Sequence, residues 1–197
     1  MKDDVFFSII MVSLNSERFI EKSICSVLSQ TFSNFELIIQ DGESTDNTLN
    51  IIKKYNDPRI KLLSEPDYGI YNAMNKGIIR ASGKYIAILN SDDEYYTNTL
   101  LDYHTILKHF DLDFVYSNYL LIDESGSPLK IINATNKIPF YKMPYGHNTL
   151  ICSSKIYTNI SYDEHYALAS DYDFIHKIMK INLKSSHINS TLTKFRI

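Results

Sequence analysis

Lys84-Tyr85-Ile86-Ala87-Ile88-Leu89-Asn90-Ser91-Asp92-Asp93-Glu94 is the stretch whose reading decides the fold. A short continuous apolar run is how a strand buried on both faces of a parallel sheet reads, and in open α/β sheets ligands sit beyond the carboxyl ends of such strands. Asp92 and Asp93 therefore stand where a ligand belongs. Adjacent carboxylates repel each other, so a fold that fixes them at a strand end needs a cation, a hydroxyl array or solvent to satisfy them. A magnesium-type ion meets that need, because it takes one or two protein carboxylates and draws its other ligands from water and substrate phosphates. Taken alone, Asp-Asp-Glu also reads as a solvated turn opening the next helix.

The flanking sequence alternates in kind. Residues 5–14 are β-branched and apolar and predict a buried strand, after which Asn15 or Ser16 is placed to cap a helix carrying Phe19, Ile20, Ile24, Val27 and Leu28 at helical spacing. Residues 35–40 predict a second strand. Asp41-Gly42-Glu43-Ser44-Thr45-Asp46 then turns into a helix with Leu49, Ile52 and Tyr55 on one side, Ser44 and Thr45 supplying its cap and Asp46 a favourable charge at its start. Asp57-Pro58 breaks that helix, residues 59–64 form a third short strand, and Glu65-Pro66-Asp67-Tyr68-Gly69 opens a helix with Ile70, Met74 and Ile78 in register.

Past the double Asp the pattern mixes: a helix over 97–109, a strand over 114–122 with a hairpin partner at 129–132, a short strand at 149–152, a helix over 171–181 and a last strand at 186–196. The segment 133–146 holds two of the five prolines and shows no period, which reads as a loop shaping the ligand cleft. This order predicts one α/β domain with a mainly parallel, twisted sheet, helices on both faces and a mixed second half. Residues 1–93 are expected to form a ligand-binding half and 94–197 the other half of the cleft.

Composition bounds the function. With 197 residues, 44% hydrophobic and 22% charged, the chain suits one globular domain. A net charge of −3 and a pI near 6.0, with no basic stripe, argue against nucleic acid as a partner. Runs such as Ile9-Ile10-Met11-Val12 are too short to span a bilayer, and Met1-Lys2-Asp3-Asp4 lacks the build of a signal peptide, so a soluble, cytosolic protein is expected. Cys25 and Cys152 lack paired spacing and read as small core residues, and Arg80 and Lys84 as surface charges. Val12-Ser13-Leu14-Asn15-Ser16 stands where a dinucleotide-binding glycine turn would, and no Gly-x-x-x-x-Gly-Lys loop occurs. The missing Gly-rich loop also weighs against an enzyme of nucleotide-sugar activation.

Ser13-Leu14-Asn15, Asp41-Gly42-Glu43-Ser44-Thr45-Asp46, Gly69-Ile70-Tyr71-Asn72-Ala73-Met74-Asn75-Lys76-Gly77 and Asn90-Ser91-Asp92-Asp93, in that order, resemble the motifs of family 2 glycosyltransferases. Gly146-His147-Asn148 and Ser170-Asp171-Tyr172-Asp173 extend the resemblance over nearly the whole chain. It implies a GT-A fold and an inverting transfer from a nucleotide-activated sugar to a saccharide or lipid-linked saccharide acceptor, with possible peripheral contact at the cytoplasmic membrane face. It also implies further loop and helices beyond the equivalent of Phe195-Arg196-Ile197.

By resemblance Asp41 reads uracil, which makes a UDP-sugar the favoured donor, Ser13 lines the same nucleoside pocket, Asp92 meets the ribose hydroxyls, and Asp93 holds the Mn2+ or Mg2+ that bridges the diphosphate. A carboxylate at Asp41 suits a base N–H, although uracil and guanine both present one. Lys76 and His147 are candidates for sugar or acceptor contacts, each balanced against an ordinary structural role. Relatives commonly carry Asp where this chain has Asn72. Asp171 aligns with the family's catalytic base, whereas Ser170 capping the final helix with Asp173 at its third position gives Asp173 a structural reason to exist. The alternative function is a sugar-nucleotide-binding module without catalysis.

Overall fold

The computed structural model describes residues 4–137 and 143–197. Strand β1 (Phe7–Ser13), helix α1 (Ile20–Leu28), β2 (Phe35–Asp41), α2 (Thr48–Ile52), β3 (Ile60–Ser64), α3 (Ile70–Ile79) and β4 (Tyr85–Ile88) give the expected alternation. A two-residue β5 (Glu94–Tyr95) follows, then α4 (Thr99–His109), β6 (Phe114–Ile122), β7 (Pro128–Ile132), a 3-10 turn at His147–Thr149, β8 (Ile151–Ser153), α5 (Ser154–Tyr157), α6 (Ser170–Lys180) and β9 (Ser185–Arg196). The strands run in the order β3-β2-β1-β4-β8-β6-β9-β5, and β7 pairs with the later part of β6. β3, β2, β1 and β4 are mutually parallel, β8 is antiparallel to both β4 and β6, and β6 pairs with β9 in parallel. The expected mainly parallel first half and mixed second half are both present.

Two apolar layers explain why the inner strands read as unbroken hydrophobic runs. Phe7, Ile9 and Met11 of β1 point to one face, under α1, α2 and α4, while Ile10 and Val12 point to the other, under α3 and α6. Alternate residues of one strand are thus buried on opposite sides. Burying one such Ile contributes roughly 1.5–3 kcal/mol, so a polar replacement at Ile9 or Ile10 removes a large share of a typical domain's stability.

The glycine in α3 corrects one expectation. Of Ile70, Met74 and Ile78, expected on its core face, Met74 is buried and Ile78 packs against the core, but Ile70 is exposed and Tyr71, Ala73 and Gly77 are buried instead. A Cβ at Gly77 would lie 2.4 Å from Ile10 Cγ2, so only glycine lets α3 close this tightly on β1. The helix rotates to present that gap.

The caps also differ. α1 begins after Phe19, α2 after Asn47 and α6 after Ala169, none with a side-chain cap. Asp46 does support α2, its Oδ1 accepting from Thr48 N at 2.9 Å. Ser170 does not cap α6: it is buried, and its hydroxyl accepts from Asp163 N at 2.7 Å. Asp173 instead pairs with Lys177 one turn on, at 2.6 Å. Cys152 is buried as expected but Cys25 is exposed, and Arg80 is no mere surface charge, since it donates to Gln40 and Glu65. Part of the expected cleft loop, at 138–142, lies outside the described residues. Among the described residues no helix is long and apolar enough to cross a membrane.

Candidate active site

The carboxyl ends of β1, β2 and β4 meet at one rim, and short polar side chains sew their loops together. Asn15, with left-handed backbone at φ 50°, donates its N–H to Ser44 Oγ at 2.8 Å and accepts from Thr45 N at 2.9 Å through Oδ1. Asn tolerates that conformation better than other side chains. Ser16 donates from its N–H to Thr48 Oγ1 at 2.7 Å, its hydroxyl lies 2.8 Å from that of Ser91, and Ser23 Oγ donates to Ser91 O at 2.8 Å. The segment carrying the double Asp is therefore tied to the segment leaving β1.

Between them opens a cavity of about 480 Å³, lined among others by Ser13, Arg18, Phe19, Asp67, Ala73, Asn90 and Asp92. Ser13 is in place there, and its buried Oγ has no protein partner. Asn90 Oδ1 is likewise buried and unpartnered. A buried polar atom without a partner is costly and points to a ligand or an ordered water. Together with Asp92 these are hard oxygen donors, the set that suits Mg2+ or Mn2+. Among the described residues no group of three or more His, Cys, Asp or Glu side chains could hold an ion unaided. A metal here would complete its shell from substrate oxygens.

The two carboxylates of the Asp pair are placed differently. Asp93, not Asp92, is withdrawn: it is fully buried, Oδ2 accepting from Asn148 Nδ2 at 3.0 Å and Oδ1 from Arg196 N at 3.1 Å. Burial, reinforced by the neighbouring Asp92 charge, pushes its carboxyl up to about 7. Asp92 lines the cavity, and burial raises its carboxyl too, with Arg196 and His147 pulling the other way.

Asp41 is also fully buried. Oδ1 accepts from Ser44 Oγ at 2.5 Å, and Oδ2 from Ser44 N at 3.0 Å and Ser64 Oγ at 2.9 Å. Reading a base from there requires its remaining lone pair or the displacement of a serine. The carboxylate that does border the cavity at this end is Asp67, which approaches so closely that a Cβ at Gly42 would lie 2.4 Å from Asp67 Oδ2. Lys76 is turned away, donating to Pro66 O at 2.5 Å with Glu65 3.7 Å distant.

Asp171 and His147 form a second group, with His147 close enough to act on Asp92. Asp171 Oδ1 accepts from Tyr172 N at 2.9 Å and Tyr71 Oη at 3.2 Å, and Oδ2 lies 3.5 Å from His147 Nδ1. Burial works to raise the Asp171 carboxyl, but His147, Tyr172 N and Tyr71 outweigh it and hold it below the ordinary range. A partly exposed carboxylate kept ionised in a cleft is equipped to accept a proton. His147 lies near enough to Asp92, Asp93 and Asp171 to draw all three downward. Tyr71, which donates to Asp171, belongs to the same helix as the cavity-lining Ala73. Ala169, just before α6, sits at φ 72°, a left-handed conformation that costs a side-chain-bearing residue roughly 1–2 kcal/mol. Arg18, Phe19 and Asp67 are not among the site residues expected from the sequence. Their only signal there was position, just past the ends of β1 and β3.

Residues 8–165 match the family model described as Glycosyl transferase family 2. The UDP-Glc:alpha-D-GlcNAc-diphosphoundecaprenol beta-1,3-glucosyltransferase WfgD of Escherichia coli is 39% identical over 142 residues, covering 72% of this chain and 56% of that protein. An uncharacterised glycosyltransferase of Methanocaldococcus jannaschii is 31% identical over 208 residues, covering 99% of this chain and 72% of its own length. Among solved structures, Staphylococcus aureus TarS 1–349 in complex with UDP superposes with a TM-score of 0.80 at 22% identity, over 98% of this chain and 60% of that one. The mannosyltransferase PcManGT of Pyrobaculum calidifontis, in complex with GDP-Man and Mn2+, gives 0.75 at 14% identity, over 96% and 56%. The chain spans little more than half the length of the E. coli relative.

Proposed function

The chain belongs to glycosyl transferase family 2 and has the GT-A type of fold, and from that premise we propose that it transfers a sugar from a nucleotide-activated donor, a UDP-sugar by preference, to a saccharide or lipid-linked saccharide acceptor, with inversion at the anomeric carbon. The observation that carries this reading is the convergence on one cavity of unpartnered oxygen donors, Ser13 Oγ and Asn90 Oδ1, with Asp92, which His147 links electrostatically to an ionised Asp171. The preference for UDP and for a lipid-linked acceptor is supported by the name of the E. coli relative.

In this reading residues 1–93 hold the donor and 94–197 bring the acceptor. Ser13 and Asp67 border the nucleoside end, with Asp41 set behind it. Asp92 and Asn90, rather than Asp93, would hold a divalent cation, and Asp93 fixes the turn from behind through Asn148 and the Arg196 backbone. The chemistry a bound cation supplies is neutralisation of charge on the departing diphosphate. Asp171 takes the proton of the acceptor hydroxyl as that oxygen attacks the anomeric carbon and the bond to the diphosphate oxygen breaks. A single displacement must invert the centre. His147 and Tyr71 keep the Asp171 carboxylate ionised and oriented. Lys76, tied to Pro66 and Glu65, has no part in this scheme. A lipid-linked acceptor would bring the protein to the cytoplasmic membrane face as a peripheral visitor.

Purified protein, incubated with a panel of nucleotide sugars and Mg2+ or Mn2+, is expected to be stabilised against heat by UDP-sugars and to release UDP when a competent acceptor is added. Stabilisation by no nucleotide sugar of any base would overturn the donor reading. Donor binding with no transfer to any lipid-linked or soluble saccharide would favour the non-catalytic module.

A further inference from the structure

Among the described residues that line the cavity Arg18 is the one cationic side chain, and Asp67 and Asp92 otherwise make that lining acidic. Its guanidinium is turned onto Glu124 in the turn between β6 and β7, Nη2 lying 2.6 Å from Oε2, and both side chains are more than 60% exposed. Arg18 also lies over the Phe19 ring, 4.8 Å from its centroid, and Arg196 approaches the same ring at 4.5 Å.

The backbones at the two ends of this pair are held independently of it. On one side, Ser16 N and Glu17 N donate to Thr48 Oγ1 and Asp46 Oδ2. On the other, the carbonyls of Asp123 and Glu124 accept from Arg196 Nη1 at 2.9 and 3.1 Å. The Arg18 bridge is therefore not needed to hold the turn in place. An exposed ion pair is weak because solvent screens it and two long side chains must be ordered to make it. A guanidinium resting on an aromatic face can rotate about its own side chain toward the cavity without backbone movement.

We propose that Arg18 is a phosphate-contacting residue of the donor site and that Glu124 is its stand-in partner, competing with the nucleoside diphosphate for the guanidinium. This rests on the donor reading above and adds the residue that binds the anion and the one that restrains it. Diphosphate oxygens offer the guanidinium a bidentate, more highly charged partner than one carboxylate, so exchange is favourable when the donor enters. The Glu124 carboxylate is then released to solvent.

Calorimetric titration of UDP, with uridine as the phosphate-free control, tests this on wild type, Glu124→Gln, Arg18→Gln and the double variant, at fixed Mg2+. Both side chains are exposed, so melting temperatures should stay close to wild type. Glu124→Gln is expected to tighten UDP binding roughly twofold to fivefold, a gain of the size an exposed pair commands. Arg18→Gln should weaken it, the double variant should match Arg18→Gln, and uridine should bind all four alike. Equal UDP affinity in wild type and Glu124→Gln, or a gain that persists without Arg18, would overturn the inference while leaving the donor reading intact. Failure of wild type to bind UDP or GDP at all would overturn both.

Discussion

His147 and Asp171 face each other with Nδ1 3.5 Å from Oδ2, joining the turn before β8 to the start of α6 beside the cavity. The carboxylate's other oxygen is engaged by Tyr71 and by the backbone of Tyr172. This arrangement holds Asp171 ionised without burying it completely. Asp171→Asn is expected to lower kcat by roughly 10²–10⁴, the usual contribution of a general base, with UDP affinity and melting temperature nearly unchanged. Steady-state kinetics beside calorimetry checks this, and transfer at the wild-type rate would remove Asp171 from the base role.

The same contact sets a pH dependence. Because the Asp171 carboxyl is held below its ordinary value, the base should stay ionised until the pH falls below the usual Asp range. His147→Gln removes the largest of the influences lowering it, so the acid limb of kcat/KM should move to higher pH. An unmoved limb, read from profiles of the two proteins, would show that another group controls it.

The paired carboxylates separate by substitution. Asp92→Asn should abolish the Mg2+-dependent part of UDP binding, whereas Asp93→Asn, which preserves shape at a buried site whose charge is already disfavoured, should retain it. Asp93→Ala, by contrast, strands Asn148 and the Arg196 N–H and should cost about 1–3 kcal/mol of stability. Metal-dependent binding that survives Asp92→Asn and disappears in Asp93→Asn would restore the order expected from the sequence.

That order was illegible in the sequence for a physical reason. Which of two adjacent carboxylates turns inward is decided by Asn148 and Arg196, 55 and 103 residues away along the chain. β5 was missed because two residues carry no period of their own, and only pairing with β9 makes them a strand. The expected caps of α1 and α2 failed because side chains of the loops after β1 and β2 satisfied one another rather than their own helices, and that of α6 because Ser170 accepts from Asp163 N instead. What the sequence did reveal were features that each segment determines by itself. Strands buried on two faces must be continuously apolar, hence the accurate placing of β1 and β2, and a carboxylate at a parallel strand's end must lie near the sheet rim, hence Asp41 after β2 and Asp92 after β4. How far each projects into the cavity belongs to tertiary packing.

Glu36 offers a stability test remote from the cavity. Its nearly buried side chain accepts from Ser8 Oγ at 2.5 Å and from Ser82 N and Oγ at 2.7 and 2.9 Å, and it pairs with Lys61. Burial opposes ionisation, but Lys61, Ser8 and Ser82 prevail and lower its carboxyl below the ordinary 4.5. A depressed folded-state pKa adds stability that is present above pH 4.5 and lost as the pH falls through the lowered value. Glu36→Gln should thus destabilise the protein at neutral pH and progressively less in acid. Urea melts showing an equal deficit at every pH would contradict this.

The stereochemistry of the product bears on the mechanism most directly. With an α-linked UDP-sugar, Mg2+ and an acceptor that is consumed, proton NMR of the newly formed glycoside should show a β-linked anomeric centre, absent when Asp171→Asn replaces wild type. A product that retains the α configuration would contradict displacement by an acceptor oxygen activated at Asp171.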